Sequence, residues 1–355
     1  MAAINPSALT LNTINADVRK LIKKAIFEQK NKIDAIHTLY SGIRAAEDVG
    51  LYGTFGLLMK ARQGCSPTAD GSAKMTLSKK TWNPTAWEVI IDTCRSDLDG
   101  TILQLAQKLG LDANDLTGTV VEQLVMAQLV PALSLDLFRY AWFGDTNAAN
   151  FNDSPAGELS NSVDPDYFNI NDGFFQLLAD IYASTHARRT TITENAQTTY
   201  ANQTLTSSEC HAYIKAVYDS APLKLKTMSD QQILVTQNIF DGYLEDLAKN
   251  YGYNNAINML QEGGNQLKYR GVPVIPVPEW DNVIQSYMDS GTYWASPNRI
   301  VYTTKSNLAI GLESADGGIN YVASNYDPRT RYWRVEASDK FDFLILDDTL
   351  VQVGI

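Results

Sequence analysis

Apolar residues recur at a spacing of three and four along two long stretches of the chain. In residues 14–47 the remaining positions are filled by Lys, Arg, Asp and Glu, so the pattern predicts an amphipathic helix. Residues 119–142 show the strongest pattern, with a capping box of Thr119 and Glu122 and a stop at Gly144. A helix of about 24 residues spans about 36 Å. Because this one is apolar around much of its girth, we expect it to form the spine of a domain, kinked at Pro131.

Three shorter helices are predicted from residues that cap helix starts. They are 174–183 after Asn171 or Asp172, 207–219 after the capping box of Thr206 and Glu209, and 230–249 after the capping box of Ser229 and Gln232. The last of these is expected to end at Tyr251 and Gly252. Residues 145–170 are rich in Asn, Asp, Ser, Pro and Gly, which indicates a domain boundary.

Residues 48–92 have the pattern of a long β-hairpin. Polar and apolar residues alternate from Lys74 to Ser78, and residues 63–72 have turn composition, which predicts a flexible tip. A hairpin without a core on both faces needs a partner surface. The pattern alone favours packing of this hairpin on its own domain. Trp82 and Trp87 surround an Asn-Pro step and are expected to pack as a corner at the hairpin base.

The last third of the chain has mostly strand patterns. Residues 272–278 form an apolar strand interrupted by three prolines, which confines it to an edge or a boundary. A Pro297-Asn298-Arg299 turn then leads into a predicted β-hairpin that extends to Leu312. Further strands are predicted at 331–335, 341–346 and 350–355, with a turn at Asp347 and Asp348. Helices and strands are therefore mixed without βαβ alternation, which predicts an α+β fold.

Composition and charge narrow the class of protein. The 355 residues are 45% hydrophobic and 10% aromatic, which suffices for one large core or two modest ones and excludes a disordered chain. The formal net charge of -11 argues against a general nucleic-acid-binding protein. Residues 1–47 are the exception, with seven Lys or Arg against four Asp or Glu. This basic face is either solvated or an arm that contacts a neighbouring subunit. No apolar run reaches membrane-spanning length, and no secretion signal is indicated.

Candidate catalytic and metal-binding chemistry is weak. No nucleotide-binding, serine-hydrolase or zinc-protease motif occurs. Cys65, Cys94 and Cys210 are scattered, so we expect free thiols and no zinc site. Cys210 and His211 are adjacent on a predicted helix and so point about 100° apart, which is unsuited to a nucleophile and its base. The sequence therefore predicts no enzyme, no cofactor and no metal.

Three other polar groups each have a simple alternative explanation. His37 is expected near the polar edge of the first helix. His186, with Arg188 and Arg189, either binds an anion or lies in a solvated loop. The acidic residues around the Asp347–Asp348 turn are either a weak cation site or charges in water.

Four segments resemble tailed-bacteriophage major capsid proteins of the Hong Kong 97-like fold. They are Tyr269–Pro278, Asn298–Leu312, Phe341–Ile355 and the helix end Ala141–Asp145. The order of these segments along the chain carries the resemblance, since none is specific by itself. The resemblance implies a major capsid protein that self-assembles into hexamers and pentamers of an icosahedral phage head enclosing double-stranded DNA. An encapsulin-type shell of the same fold is the first alternative, and a soluble enzyme or ligand-binding domain is the second.

The resemblance also implies an organisation and partners. The segments would be an N-terminal arm (1–47), an extended loop (48–92), a peripheral domain with the spine helix (93–150), an axial domain (151–285) and a return to the peripheral sheet (286–355). Partners would be many copies of the chain, portal and scaffolding proteins and decoration proteins, in a virion assembled in the host cytoplasm. The pattern alone favours packing of the hairpin on its own domain, but the resemblance implies that it lies over a neighbouring subunit. The expected contact residues between subunits are Lys20, Lys23, Lys24, Met75, Leu77 and Lys79.

Overall fold

A computed structural model describes residues 33–55, 75–94, 120–148, 159–160, 162–251, 267–314, 321–327, 329–330 and 332–355. The helices with defined bounds are α1 Val120–Phe143, α2 Phe174–Ser184, α3 Ser207–Ser220, α4 Leu223–Lys226, α5 Gln237–Tyr251 and α6 Pro278–Tyr287. The first eight strands are β1 Thr38–Ser41, β2 Glu47–Phe55, β3 Met75–Trp82, β4 Thr85–Cys94, β5 Arg189–Thr190, β6 Gln231–Val235, β7 Lys268–Tyr269 and β8 Val272–Pro276. The others are β9 Ile300–Thr304, β10 Leu308–Leu312, β11 Tyr321–Asp327, β12 Tyr332–Ile345 and β13 Val351–Gly354.

These strands form three sheets. The larger one has six strands in the order β5-β13-β9-β6-β8-β7. The second has five strands, in which the 14-residue strand β12 pairs with β10, β11 and β4. The third is the two-stranded ribbon of β2 and β3. The mixture of helices with largely antiparallel sheets confirms the predicted α+β class.

The main core lies between the two larger sheets and is built around aromatic rings. The rings of Trp142 and Trp280 lie 4.5 Å apart, and Phe174 and Phe175 each lie 5.1 Å from the Trp142 ring. Apolar residues of both sheets, including Val301 and Phe343, join this cluster. A second cluster packs α3 and α5 on the other face of the six-stranded sheet. The end of the predicted spine helix is therefore where the layers meet.

The earlier turns of α1 cover one face of the sheet formed by β4, β12 and β11. Leu129 and Leu133 are buried there against Trp333 and Val335. The helix ends at Phe143, directly before Gly144, as the sequence predicted. Its N-terminal capping box begins at Thr119, which lies outside the described residues. None of the helices in the described segments is both long and apolar enough to cross a membrane.

The predicted helix over residues 14–47 is wrong in its second half. Residues 33–36 are helical, but residues 38–41 form β1, which pairs in parallel with β10, and β2 begins at Glu47. Long-range pairing overrides the helical spacing of a short apolar run here. His37, expected near a polar edge, is 1% exposed and stacks on Phe174 with ring centroids 5.3 Å apart. Residues 1–32 lie outside the described part.

The predicted helix over residues 230–249 begins too early. Residues 231–235 form the central strand β6, and α5 starts only at Gln237. Ile233, Leu234 and Val235 are consecutive and fully buried, the pattern of a strand covered on both faces. The Ser229–Gln232 spacing imitated a capping box, whereas the box at Thr206 and Glu209 is real and starts α3.

The predicted hairpin after Arg299 is also wrong. β9 belongs to the six-stranded sheet and β10 to the five-stranded sheet, so the two strands do not pair. A short 3-10 turn, Lys305–Asn307, carries the chain from one sheet to the other. The Asn307 side chain fixes this crossing by accepting a hydrogen bond from the Asp347 backbone N–H at 2.7 Å. Both strands are buried throughout, so their sequences do not indicate whether they pair with each other or belong to different sheets.

Helix α2 is capped differently from the prediction. Its N-cap is Gly173, and the side chains of Asn171 and Asp172 bond to Asp342 and Thr146 instead. A Cβ on Gly173 would lie 2.6 Å from the Tyr140 carbonyl oxygen. The close approach of α1 and α2 therefore requires glycine. The described parts of 145–170 pack into the core through Ala148, Leu159 and Phe168.

Candidate assembly surfaces

The β2–β3 ribbon confirms the two strands of the predicted hairpin, but residues 85–92, which the prediction included, belong to β4 and pair with β12 in the five-stranded sheet. The strands are antiparallel, with Glu47 opposite Trp82 and Tyr52 opposite Leu77, and the register shifts between Tyr52 and Phe55. The ribbon is a sheet of its own and is not hydrogen-bonded into either larger sheet. The predicted tip lies outside the described residues. An isolated two-stranded ribbon is only marginally stable in water, so it requires support at its base or from a partner.

Trp82 provides the apolar part of the support at the hairpin base. Its side chain is 1% exposed and packs with Ile43, Ala309 and Leu344. A Cβ on Gly311 would lie 2.9 Å from the Trp82 ring, so only glycine leaves room for the indole. The predicted corner is therefore the point where the ribbon is fixed to the five-stranded sheet.

Polar contacts fix the direction in which the ribbon leaves the body. The Asn83 backbone N–H donates to the Asp342 carboxylate at 2.6 Å, and the Asn171 side chain donates to its other oxygen at 2.8 Å. Burial raises the pKa of Asp342 against the opposing effect of these hydrogen bonds. Lys80 forms an ion pair with Asp348 at 2.8 Å. The base of the hairpin is thus held by polar contacts to Asp342 and Asp348.

Lys79 is the one predicted contact residue whose side chain the structure describes. It is 70% exposed and pairs with Asp48 at 2.9 Å, while Thr81 donates to the other Asp48 oxygen at 2.6 Å. These hydrogen bonds lower the pKa of Asp48. An exposed pair of this kind contributes little to stability, so Lys79 can exchange partners at low cost.

The other predicted contact residues are not tested by the structure. Lys20, Lys23 and Lys24 lie outside the described residues. Met75 and Leu77 have a described backbone in β3 but no described side chain.

An exposed sheet face, which the sequence reasoning missed, lies opposite the side covered by α1. Ile90, Tyr321 and Tyr332 are 50%, 44% and 41% exposed there. Arg334 makes two hydrogen bonds to Asp92, at 2.6 and 2.8 Å, across β12 and β4. The period-two alternation of buried and exposed residues along β12 is the signal that could have found this face.

A second exposed cluster lies at the tight turn between β7 and β8. Arg270 has φ 49°, which is rare for a residue with a side chain. Its guanidinium pairs with Asp219 at 2.8 Å and lies 5.3 Å from the centroid of the Tyr218 ring. Lys226 lies over the same ring at 5.1 Å. In the motif Tyr269-Arg270-Gly271 the tyrosine is thus buried, and Arg270 and Gly271 form the exposed turn.

The Asn298-Arg299 motif, in contrast, is internal. Arg299 is fully buried, 4.3 Å from the centroid of the Phe175 ring, and its Nε donates to the Ser296 carbonyl at 2.9 Å. Burial lowers its pKa to about 9. Asn298 donates to the Gln203 carbonyl at 3.0 Å. These residues shape the loop before β9 and are not available to a partner.

The cysteine and histidine geometry does not form a nucleophile and base. Cys210 is 1% exposed, and burial raises its pKa to about 12, so the thiol is inert. His211 instead contacts Asp246 at 2.6 Å. His186 is exposed and its Nδ1 lies 3.0 Å from the Tyr182 carbonyl oxygen. Among the described residues, no group of three His, Cys, Asp or Glu side chains could hold a metal ion.

Asp347 and Asp348 act as anchors. Asp347 pairs with Lys224 at 2.6 Å, and Asp348 pairs with Lys80 on the hairpin. The turn therefore connects the hairpin base to the helix-rich side of the six-stranded sheet. Both aspartates are thus paired with lysines, so the turn is neither a set of charges in water nor a cation site.

Comparison with known proteins shows the fold but no sequence family. No protein-family model matches the chain, and no curated protein matches its sequence. A chain of the satellite phage P4 procapsid, which includes the size determination (Sid) protein, is 12% identical and has a TM-score of 0.51 over 100% of this chain and 92% of that one. A chain of Gordonia phage Cozz is 11% identical, with a TM-score of 0.48 over 91% of this chain and 85% of that one. The P4 match confirms the predicted Hong Kong 97-like fold.

Proposed function

We propose that this chain is a major capsid protein that assembles into the hexamers and pentamers of an icosahedral phage head. The observation that carries the proposal is the fold shared over the whole chain with a procapsid chain. The hairpin supports it independently, because β2 and β3 form a two-stranded sheet of their own, and such a ribbon needs a partner surface. The role is structural, and the particle would be a virion capsid assembled in the host cytoplasm.

The proposed organisation follows the predicted segments. Residues 1–47 serve as the arm, although residues 38–41 already join the five-stranded sheet as β1. Residues 48–92 form the extended loop, and 93–150 the peripheral domain with its spine helix. Residues 151–285 form the axial domain, and 286–355 return to the peripheral sheet. Supporting the last step, β10 and β12 pair with each other and with β1 and β4 from the first part of the chain.

The hairpin is proposed to lie over a neighbouring copy. In a strand, residues two apart share a face, so Met75 and Leu77 belong with exposed Lys79 on the contact face of β3. Lys20, Lys23 and Lys24 are proposed to pair with acidic residues of a neighbour. Portal, scaffolding and decoration proteins are proposed as further partners.

The enclosed cargo is proposed to be double-stranded DNA, held without tight binding. Each Lys or Arg contact to phosphate adds salt-dependent affinity, which would oppose movement of DNA during packaging and ejection. The net charge of -11 is consistent with a wall that does not adhere to DNA. In a gel shift at physiological salt, the isolated protein should show no measurable affinity. Sub-micromolar binding that is lost when Lys20, Lys23 and Lys24 become Gln would overturn this part.

Electron microscopy of the purified protein tests assembly directly. The wild type should form closed particles, and a variant with residues 57–73 replaced by a short Gly-Ser linker should remain folded but fail to close. That variant keeps the described anchors Trp82, Asn83 and Lys80, so its control is intact folding by circular dichroism. Normal particles from the variant would contradict the role of the hairpin. Particles filled with an enzyme instead of DNA would indicate an encapsulin-type shell.

A further inference from the structure

A cavity of about 160 Å³ lies where two parallel strands of the six-stranded sheet end. β6 and β8 are parallel, with Val235 opposite Pro276, and each is followed at once by a helix, α5 or α6. In open α/β sheets, ligands bind in the space outside the carboxyl ends of parallel strands, and β6 and β8 reproduce that local geometry within this mixed sheet. The cavity is lined by Tyr200, Gln203, Thr204, Leu205, Asn238, Asp281, Ile284, Gln285, Trp294 and Pro297.

Asp281 is the charged residue among the ten that line the cavity. It lies in the first turn of α6, and its Oδ2 accepts a hydrogen bond from the Gln237 backbone N–H at 2.8 Å, at the start of α5. Burial raises the pKa of Asp281 to about 6, in spite of this hydrogen bond and of the attraction to Arg299. At neutral pH the cavity therefore contains a carboxylate whose charge the protein only partly compensates.

The walls of the cavity are aromatic and well fixed. The rings of Tyr200 and Trp294 lie 4.4 Å apart. Gln203 holds the backbone of Trp294 by two hydrogen bonds, donating at 2.7 Å and accepting at 2.9 Å. The adjoining residue Ser296 has φ 45°, a strained backbone for a residue with a side chain. Such strain concentrates at binding sites, where the surrounding structure maintains it.

We propose that this cavity is a socket for a lysine or arginine side chain from a second copy of the chain. A cavity of about 150 Å³ holds a benzene-sized molecule, so the volume suits the end of one basic side chain. A carboxylate and aromatic rings together are the groups that attract such a cation. An anionic ligand would instead be repelled by the Asp281 carboxylate, which already accepts a hydrogen bond at the N-terminus of α5. The site stands on the described geometry, whereas its occupant rests on the proposed assembly into a shell.

The first experiment tests the site with n-butylammonium as the probe and n-butanol as its uncharged match. The carboxyl carbons of aspartate in the full-length unassembled protein are labelled with ¹³C, and the Asp281 signal is followed by NMR. The ammonium should bind about tenfold more tightly than the alcohol. Asp281→Asn keeps an acceptor for the Gln237 backbone N–H but loses the charge, so it should bind the ammonium and the alcohol equally. Binding to this variant is followed by the Trp294 indole signal. Asp241→Asn, which changes a nearby carboxylate outside the cavity, should retain the preference for the ammonium.

The second experiment tests the occupant by counting closed particles. Asp281→Asn should reduce their yield about tenfold, and Asp241→Asn should leave the yield unchanged. Gln285→Lys is a second variant for the case that Asp281→Asn does not fold. Residues 281 and 285 are neighbours on α6, so the new lysine should fill the socket, block the probe and prevent closure.

Each remaining outcome decides the question. Equal binding of ammonium and alcohol, or no binding of either, overturns the socket. Normal particles from Asp281→Asn or from Gln285→Lys overturn the second copy as its occupant. Failure of the wild type to form particles overturns the proposed function and this occupant together, while the probe experiment still decides whether the cation site exists.

Discussion

Replacing His37 should change how the stability of the protein depends on pH. The His37 ring is buried between Phe174 and Trp142, with centroids 5.3 and 5.5 Å away. Its Nδ1 lies 3.1 Å from the Ile33 carbonyl oxygen, so Nδ1 carries the proton. Among the described residues, no group forms a hydrogen bond with the buried Nε2. A second proton on Nε2 would create a charge among aromatic rings, and burial accordingly lowers the pKa of His37 from 6.5 to about 3.

The sign and size of the effect follow from this pKa. The folded value is depressed, so the stabilisation is complete above pH 6.5 and is lost as the pH falls toward 3. At pH 5 the unfolded chain binds a proton that the folded chain does not. The free energy of unfolding should therefore fall by about 2 kcal/mol between pH 7 and pH 5 through His37 alone.

The measurement is urea unfolding of the unassembled chain at pH 7 and pH 5. His37→Phe removes the titrating group and keeps a ring against Phe174, so its loss of stability over this interval should be about 2 kcal/mol smaller than that of the wild type. Phe174→Leu is the matched control, because it weakens the same cluster but retains the imidazole. It should be less stable at both pH values with an undiminished difference between them. Equal pH dependence in the wild type and His37→Phe would refute the argument.

Three further predictions follow from buried contacts. Leu133→Ala should cost about 2–5 kcal/mol in urea unfolding, because it opens a cavity between α1 and Trp333. Unchanged stability would show that α1 is not core. Gly311→Ala should displace Trp82 and expose the hairpin base to protease at strands β2 and β3, and a cleavage pattern identical to that of the wild type would contradict the anchor. Cys210 should resist iodoacetamide in the folded chain and react after denaturation, as peptide mass spectrometry can show; rapid labelling of the native protein would contradict its burial.

The sequence by itself determined the elements whose signals are local. Helix α1 was predicted within one residue at each end, since twenty-four residues with helical spacing and a terminal glycine leave little ambiguity. The capping box at Thr206 and Glu209 and the alternation before Ser78 likewise located α3 and the hairpin. The role of Trp82 at the hairpin base was predicted from the Asn-Pro step that follows it, whereas its contacts Ile43, Ala309 and Leu344 were not.

The tertiary structure decided which strand pairs with which and what each charge faces. β6, β9 and β10 are five-residue strands in which every residue except Gln231 is buried, so no alternation of buried and exposed positions shows which sheet each strand joins. The partners of such strands lie far away in the chain, as β1 and β10 do. The burial of His37 and the half-buried environment of Asp281 were not predicted for the same reason. Their environments are assembled from α1, α2, α5 and α6. Burial by elements that are distant in the chain cannot be predicted from the residues next to His37 or Asp281 in the sequence.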